Sequence, residues 1–227
     1  MNARKPAARA TARAAAAKAA STSPQHDNAH QPDSPTVTSR IFVTVGTTRF
    51  DSLITTVCSH PFLTLLLDLN CSSLTIQHGS SPLCLTTVPG VTPASSPPDT
   101  STDHHFTYTS PTHPTPLAIH TYTYHPTLLP SLTSATLIIS HAGAGSILES
   151  LALRKPLLVV VNETLMDNHQ TELAEALAGM GVVRWTRVEG LVECLGKGGW
   201  GAMKALGGRE AGRLVRVLDE EAGFELR

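Results

Sequence analysis

Hydrophobic positions in this chain fall into short unbroken runs that alternate with segments of helical spacing. The runs are residues 41–45, 74–77, 117–122, 135–140 and 156–161. Apolar runs of this length predict strands covered on both faces, as in a parallel sheet. Between them, Leu53, Ile54 and Val57 follow Asp51 at helical spacing, and residues 62–69 continue in the same way. Further helices are predicted over about 126–133, from Ser146 onward, and over about 168–178, closed by Gly179 and Gly181. Pro126 suits a first helical turn, where its missing N–H would have no partner anyway. This alternation predicts an α/β chain, a single Rossmann-like domain on a parallel sheet.

The pattern also sets the expected boundaries. Residues 1–39 are Ala-rich, with Arg4, Lys5, Arg9, Arg13 and Lys18 and no acid before Asp27. They are expected to be a disordered basic tail, or a transit-like segment, ahead of a domain at 40–227. Residues 80–116 are rich in Pro, Ser, Thr and His and are expected to be a flexible insertion. A short strand is expected at Val182-Val183, a Gly-rich linker at 196–208 and a last helix at about 209–221. No internal repeat is evident.

Composition narrows the function. The formal net charge is −1, so there is no global basic field for nucleic acid. Cys58, Cys71, Cys84 and Cys194 form no CxxC pair and are expected to be free thiols. No apolar run approaches the roughly 18–20 residues that span a bilayer, so a membrane link would pass through a partner or a peripheral surface.

The most informative chemistry follows the run at 135–140. Ser140-His141-Ala142-Gly143-Ala144-Gly145-Ser146 is a Gly-rich turn between a strand and a helix. Such a turn gathers unpaired backbone N–H groups at the positive end of a helix dipole, which suits a phosphate. Ser146 and Glu149 have the spacing of a capping box. Glu149 is equally placed to accept from ribose hydroxyls. The turn half-matches the dinucleotide fingerprint, with Glu163 near the position of a ribose-binding acid and Leu148 where the third Gly would be.

Two other segments belong to the same sheet edge. Gly46-Thr47-Thr48 turns the chain after the first strand. Asp167-Asn168-His169-Gln170 opens a later helix, as a capping box or as a polar cluster suited to sugar hydroxyls and amides. His104, His105 and His113 lie in the Pro/Ser/Thr-rich segment and are not read as metal ligands. No Asp-x-Asp pair is present to hold a divalent ion on a nucleotide diphosphate.

Residues 41–51, 139–149 and 155–170 together resemble a known family. It is the UDP-GlcNAc-binding catalytic subunit of the eukaryotic two-subunit N-acetylglucosaminyltransferase, which adds the second GlcNAc to dolichyl-diphosphate-GlcNAc. The resemblance spans about 41–79 and 117–180. That family is similar to the C-terminal half of the bacterial enzyme that makes lipid II, a GT-B glycosyltransferase. The resemblance implies that Gly143, Ala144, Gly145 and Ser146 hold the UDP diphosphate and Glu149 the ribose. Asn168, His169 and Gln170 would face the GlcNAc, and Gly46, Thr47 and Thr48 would line the cleft. His141 is a candidate base or diphosphate donor, with an acid from a partner as the alternative base.

The resemblance further implies inverting β1,4 transfer with no cofactor and no metal needed to hold UDP. A membrane-anchored, acceptor-binding partner would supply the other half of the cleft, docked on Leu214, Val215 and Leu218. It would recruit the chain from the cytoplasm to the cytoplasmic face of the endoplasmic reticulum. The competing expectations are a non-catalytic nucleotide-sugar-binding module and an NAD-type Rossmann domain.

Overall fold

A computed structural model of the chain describes residues 39–94, 103–162 and 169–200. The first strand, β1 (Ser39–Thr44), runs through the middle of the sheet. It leads through helices α1 (Asp51–Val57) and α2 (His60–Asp68) to β2 (Cys71–Gln77). After β3 (Val91–Pro93), β4 (His104–Ser110) and β5 (His113–Tyr122), α3 (Leu129–Ser134) returns the chain to β6 (Leu137–His141). Then come α4 (Ala144–Ala152), β7 (Leu157–Val161), α5 (His169–Gly179), β8 (Arg184–Arg187) and α6 (Leu191–Gly196).

The strands form one eight-stranded sheet, ordered β3-β4-β5-β2-β1-β6-β7-β8. Every neighbouring pair from β5 to β8 is parallel. This parallel portion has the 3-2-1-4-5-6 strand order of the Rossmann fold, as the alternation of strands and helices predicts.

The unbroken apolar runs are explained by burial on both faces. Along β7, Leu158 and Val160 pack into one hydrophobic cluster with α1, α2 and α6, while Leu157, Val159 and Val161 pack into the other with α4 and α5. β1 divides its side chains in the same way, with Ile41 and Val43 in the first cluster and Phe42 in the second. Each such side chain contributes roughly 1.5–3 kcal/mol by leaving water.

Helix α3 is tied at its C-terminal end. Lys155 Nζ donates to the carbonyls of Thr133 (2.6 Å) and Ala135 (2.7 Å), and Arg40 Nε donates to that of Ser134 (2.7 Å). Cations here satisfy carbonyls that the helix leaves open and meet the negative end of its dipole. The helix begins at Leu129, with Pro130 rather than Pro126 in its first turn.

The expectation of a flexible insertion at 80–116 is corrected for 80–94 and 103–116, and residues 95–102 lie outside the described residues. Residues 85–87 form a 3-10 turn, and β3, β4 and the first half of β5 extend the sheet as antiparallel strands. Phe106 and Tyr108 on β4, with Leu117 and Ile119 on β5, point into the core at period two. Pro, Thr and His between them gave the segment a loop-like composition. Pro114 and Pro116 are accommodated because β5 does not pair with β2 until Ala118.

His113 pairs with Asp68 (3.1 Å), and His105 stacks on His120 with ring centroids 4.6 Å apart. Among the described residues, no three His, Cys, Asp or Glu side chains are grouped as a metal site. The four cysteines are free, and burial pushes the Cys58 thiol up to about 12 and that of Cys71 to about 11.

The strand expected at Val182-Val183 begins at Arg184 instead, and both valines are buried on the approach to it. The tail at 1–38 and the last helix, with Leu214, Val215 and Leu218, lie outside the described residues. Among the described residues, no helix is long and apolar enough to cross a membrane.

Candidate functional site

The strand order of an open parallel sheet reverses between β1 and β6, and ligands bind outside the carboxyl ends of the strands at such a point. The two loops that leave these strands are the turn at Gly46-Thr47-Thr48 and the turn at Ala142-Gly143. They meet through a single side chain, the imidazole of His141.

His141 is the last residue of β6 and is 8% exposed. A Cβ built on Gly46 would come 2.7 Å from its Cε1, and one built on Gly143 would collide with the same ring. The ring therefore occupies space that only two glycines leave open. Its Nδ1 lies 3.4 Å from the carbonyl of Thr44. A carbonyl can only accept, so Nδ1 carries the proton, and in the neutral ring Nε2 keeps its lone pair. Burial holds the His141 pKa below its ordinary 6.5, partly opposed by the bond to Thr44, so the ring is neutral at pH 7.

The turn after β6 is tight. The carbonyl of His141 accepts from Gly143 N (2.8 Å) and from Ser140 Oγ (2.9 Å). Helix α4 then starts at Ala144, with Gly143 at the N-cap and no side-chain cap. The first helical bond runs from Ile147 N to the Gly143 carbonyl (3.1 Å). The N–H groups of Ala144, Gly145 and Ser146 therefore point out of an uncapped helix end, beside the carboxyl edge of the sheet. Ala144 and Gly145 are exposed. This end combines open donors with the positive pole of the helix dipole, which suits an anionic group.

This corrects the capping box expected at Ser146 and Glu149. The N-cap is Gly143, three residues earlier, so Ser146 lies inside the first turn and cannot cap it. The Ser146 carbonyl instead accepts from Ser150 Oγ (2.6 Å). Glu149 is exposed on α4 and free of that structural duty.

Gly46 takes φ +60°, a left-handed conformation that a side chain disfavours. Its turn is held by buried polar groups. Gly46 N donates to Thr44 Oγ1 (3.1 Å), which donates to Gln77 Oε1 (2.5 Å). Gln77 Nε2 donates to the carbonyls of Gly46 (2.6 Å) and Thr123 (3.0 Å). Thr47 is exposed and Thr48 half-buried beside it. Arg49, next along, forks onto Asp51 at 2.7–3.0 Å, and this bond is the main cause holding the Asp51 carboxyl below its usual range.

At the end of β7, Gln170 reaches back from the first turn of α5, and its Oε1 accepts from Asn162 N (3.4 Å). His169 is the first residue of α5. Asn168, Asp167 and Glu163 lie outside the described residues. The site thus joins Gly46, Thr47, Thr48, His141 and 143–146, with Gln170 one strand further along the same edge. Pattern reading missed Thr44 and Gln77. Their signal was a polar residue ending each of two adjacent buried strands, paired in register as Thr44 with Gln77.

Comparison with known proteins is consistent with this geometry. Residues 40–198 match the glycosyltransferase family 28 C-terminal domain. The UDP-N-acetylglucosamine transferase subunit ALG13 of Yarrowia lipolytica is 31% identical over 187 residues, covering 81% of this chain and 84% of that protein. The mouse protein of the same name is 41% identical over 138 residues, 61% of this chain. The chain covers 10% of the length of the mouse relative, and 10% of the human one. An NMR solution structure of ALG13 superposes with a TM-score of 0.58 at 29% identity, covering 79% of this chain and 94% of that one. The family match across most of the sheet, and a yeast relative matched over nearly its whole length, show that this chain belongs to the ALG13 family of glycosyltransferase family 28 C-terminal domains.

Proposed function

We propose that this chain is the donor-binding subunit of a UDP-N-acetylglucosamine transferase. It holds UDP-GlcNAc at the carboxyl edge of β1 and β6 for transfer to dolichyl-diphosphate-GlcNAc. The observation that carries the reading is the uncapped N-terminus of α4, set at the strand-order reversal against His141 and Gly46. Its family membership supports a nucleotide-sugar donor over a dinucleotide. The Gly-rich turn also follows β6, whereas the dinucleotide fingerprint follows the first strand of its fold.

In this reading the diphosphate sits on the N–H groups of Ala144, Gly145 and Ser146. Glu149, exposed on the same helix, accepts from ribose hydroxyls. Asn168, His169 and Gln170 contact the GlcNAc. The 4-hydroxyl of the acceptor displaces UDP at the anomeric carbon with inversion, giving a β1,4 link. The bond from the anomeric carbon to the diphosphate oxygen breaks as the new C–O bond forms, and the hydroxyl proton passes to a base. His141, neutral with its lone pair on Nε2, has the protonation state of such a base; a carboxylate from a partner is the alternative. Charge on the leaving UDP is met by the helix end and its N–H groups without a metal.

A GT-B site closes between two Rossmann-like halves, and this chain supplies one. A membrane-anchored partner supplies the acceptor half and recruits the chain to the cytoplasmic face of the endoplasmic reticulum, through Leu214, Val215 and Leu218. The test is transfer of radiolabelled GlcNAc from UDP-GlcNAc to dolichyl-diphosphate-GlcNAc, with and without the copurifying membrane protein. Product only in the complex supports the proposal. Undiminished transfer by a complex whose chain carries Gly145→Asp and Glu149→Ala would leave this chain a non-catalytic module.

A further inference from the structure

We infer that Gln77 is a positioning residue for the donor site, locking the Gly46 turn and, through Thr44, orienting the His141 ring. The inference rests on the reading of this edge as the donor site.

Gln77 ends β2, one strand away from the crevice, and is 1% exposed. Its amide reaches the ends of the two strands that flank β2. The oxygen accepts from Thr44 on β1, and the nitrogen donates to Gly46 after β1 and to Thr123 after β5. These partners fix which way round the amide sits, because both carbonyls can only accept.

The bonds close a ring around one residue. Gly46 N donates to Thr44 Oγ1, Thr44 Oγ1 to Gln77 Oε1, and Gln77 Nε2 back to the Gly46 carbonyl. Both polar groups of Gly46 are thereby held in its left-handed conformation. Thr44 in turn presents its own carbonyl to His141 Nδ1, and the ring lies directly over Gly46. Loss of Gln77 removes the side-chain donor of the Gly46 carbonyl and the acceptor of the Thr44 hydroxyl, and leaves the Thr123 carbonyl with Gly79 N alone (3.1 Å). The turn then keeps Thr48 N to the Val45 carbonyl (3.1 Å) and Gly46 N to Thr44 Oγ1, but nothing fixes the Gly46 carbonyl or the Thr44 hydroxyl beneath the His141 ring. Buried networks of this kind specify a geometry only while every member is satisfied.

The test compares full-length wild type, Gln77→Leu and Gln77→Glu, first without ligand and then with UDP-GlcNAc. Ring-nitrogen NMR shifts report which nitrogen of His141 carries the proton, and the Gly46 amide reports the turn. Wild type is expected to hold the proton on Nδ1. Gln77→Leu is expected to populate both tautomers and to move the Gly46 amide. Gln77→Glu keeps the side-chain volume, so it guards against misfolding of the Leu variant. It should resemble Gln77→Leu while ionised and recover toward wild type when protonated, as it regains one donor for Gly46. Ile119→Ala, in the same core but outside the network, should lower Tm without moving His141.

In the complex, transfer by Gln77→Leu should fall about a hundredfold, the scale of a misplacement of about 1 Å. Unchanged His141 and Gly46 signals in the folded Gln77 variants would overturn the inference. Failure of wild type to bind UDP-GlcNAc would contradict the function proposed above, while the ligand-free shifts still decide the role of Gln77.

Discussion

The ring of His141 rests on Gly46, so close that a methyl group on that glycine would come 2.7 Å from its Cε1. One loop after β1 and another after β6 are thereby fitted to each other through one imidazole. Gly46→Ala meets two penalties, a left-handed φ and the clash with His141. It is expected to cost more than about 1 kcal/mol of stability and to displace the ring. Thermal unfolding together with UDP-GlcNAc titration checks this; unchanged binding would separate Gly46 from the site.

Gly145 stands in contrast. A Cβ there meets nothing within 4 Å, and the residue lies in the first turn of α4. Gly145→Asp places a carboxylate at the positive end of the helix, which is worth about 0.3–1 kcal/mol in favour of the free protein. The same carboxylate repels a diphosphate. Stability should hold or rise while UDP-GlcNAc affinity falls by about tenfold or more, a loss of about 1.4 kcal/mol or more. Parallel loss of both would show that Gly145 serves the fold and not the ligand.

Acid should destabilise the domain through His141. Burial lowers its folded pKa below 6.5, so between the folded and unfolded values the unfolded chain binds more protons. The contribution is complete above about pH 6.5 and is lost as pH falls through the folded value. His120, lowered chiefly by burial, acts in the same direction. At Asp103 burial pushes the carboxyl up, but bonds from His120 and His125 together hold it below 3.8, so its effect belongs to a more acidic window. Tm measured from pH 8 to pH 5 should fall less steeply in His141→Gln than in wild type. Equal slopes would show that the ring is not held neutral.

Lys155 ties the end of α3 to the strand pair beneath it. Lys155→Met keeps most of the aliphatic stem and removes both charge-assisted bonds to Thr133 and Ala135. A loss of about 1–3 kcal/mol in urea unfolding is expected, with no change in the slope of the transition. A loss within error of zero would mean that water replaces the ammonium at no cost.

What could be read from the sequence follows from which interactions are local. The runs at 41–45, 135–140 and 156–161 located β1, β6 and β7, because two-sided burial is written in consecutive residues. The Gly-rich turn likewise announced the start of α4. Its N-cap was expected three residues late because Ser146 and Glu149 imitate a capping box, whereas Gly143 stands at the N-cap and leaves the helix end uncapped. The run at 117–122 located most of β5, but β4 and residues 113–116 were hidden by composition, although Phe106 and Tyr108 already carried the period-two signal. Gln77 was beyond local reading, since its partners lie 31 and 46 positions away and only the sheet brings them together.

The central claim is that a nucleotide sugar binds where β1 and β6 diverge. Titration of the full-length chain with UDP-GlcNAc, followed by backbone amide NMR, tests it most directly. Saturable shifts are expected, centred on residues 44–48 and 141–146, with His141 ring signals moving at the same midpoint and no comparable response to NAD. Shifts confined to other parts of the sheet, or tighter binding of NAD than of UDP-GlcNAc at this edge, would contradict it.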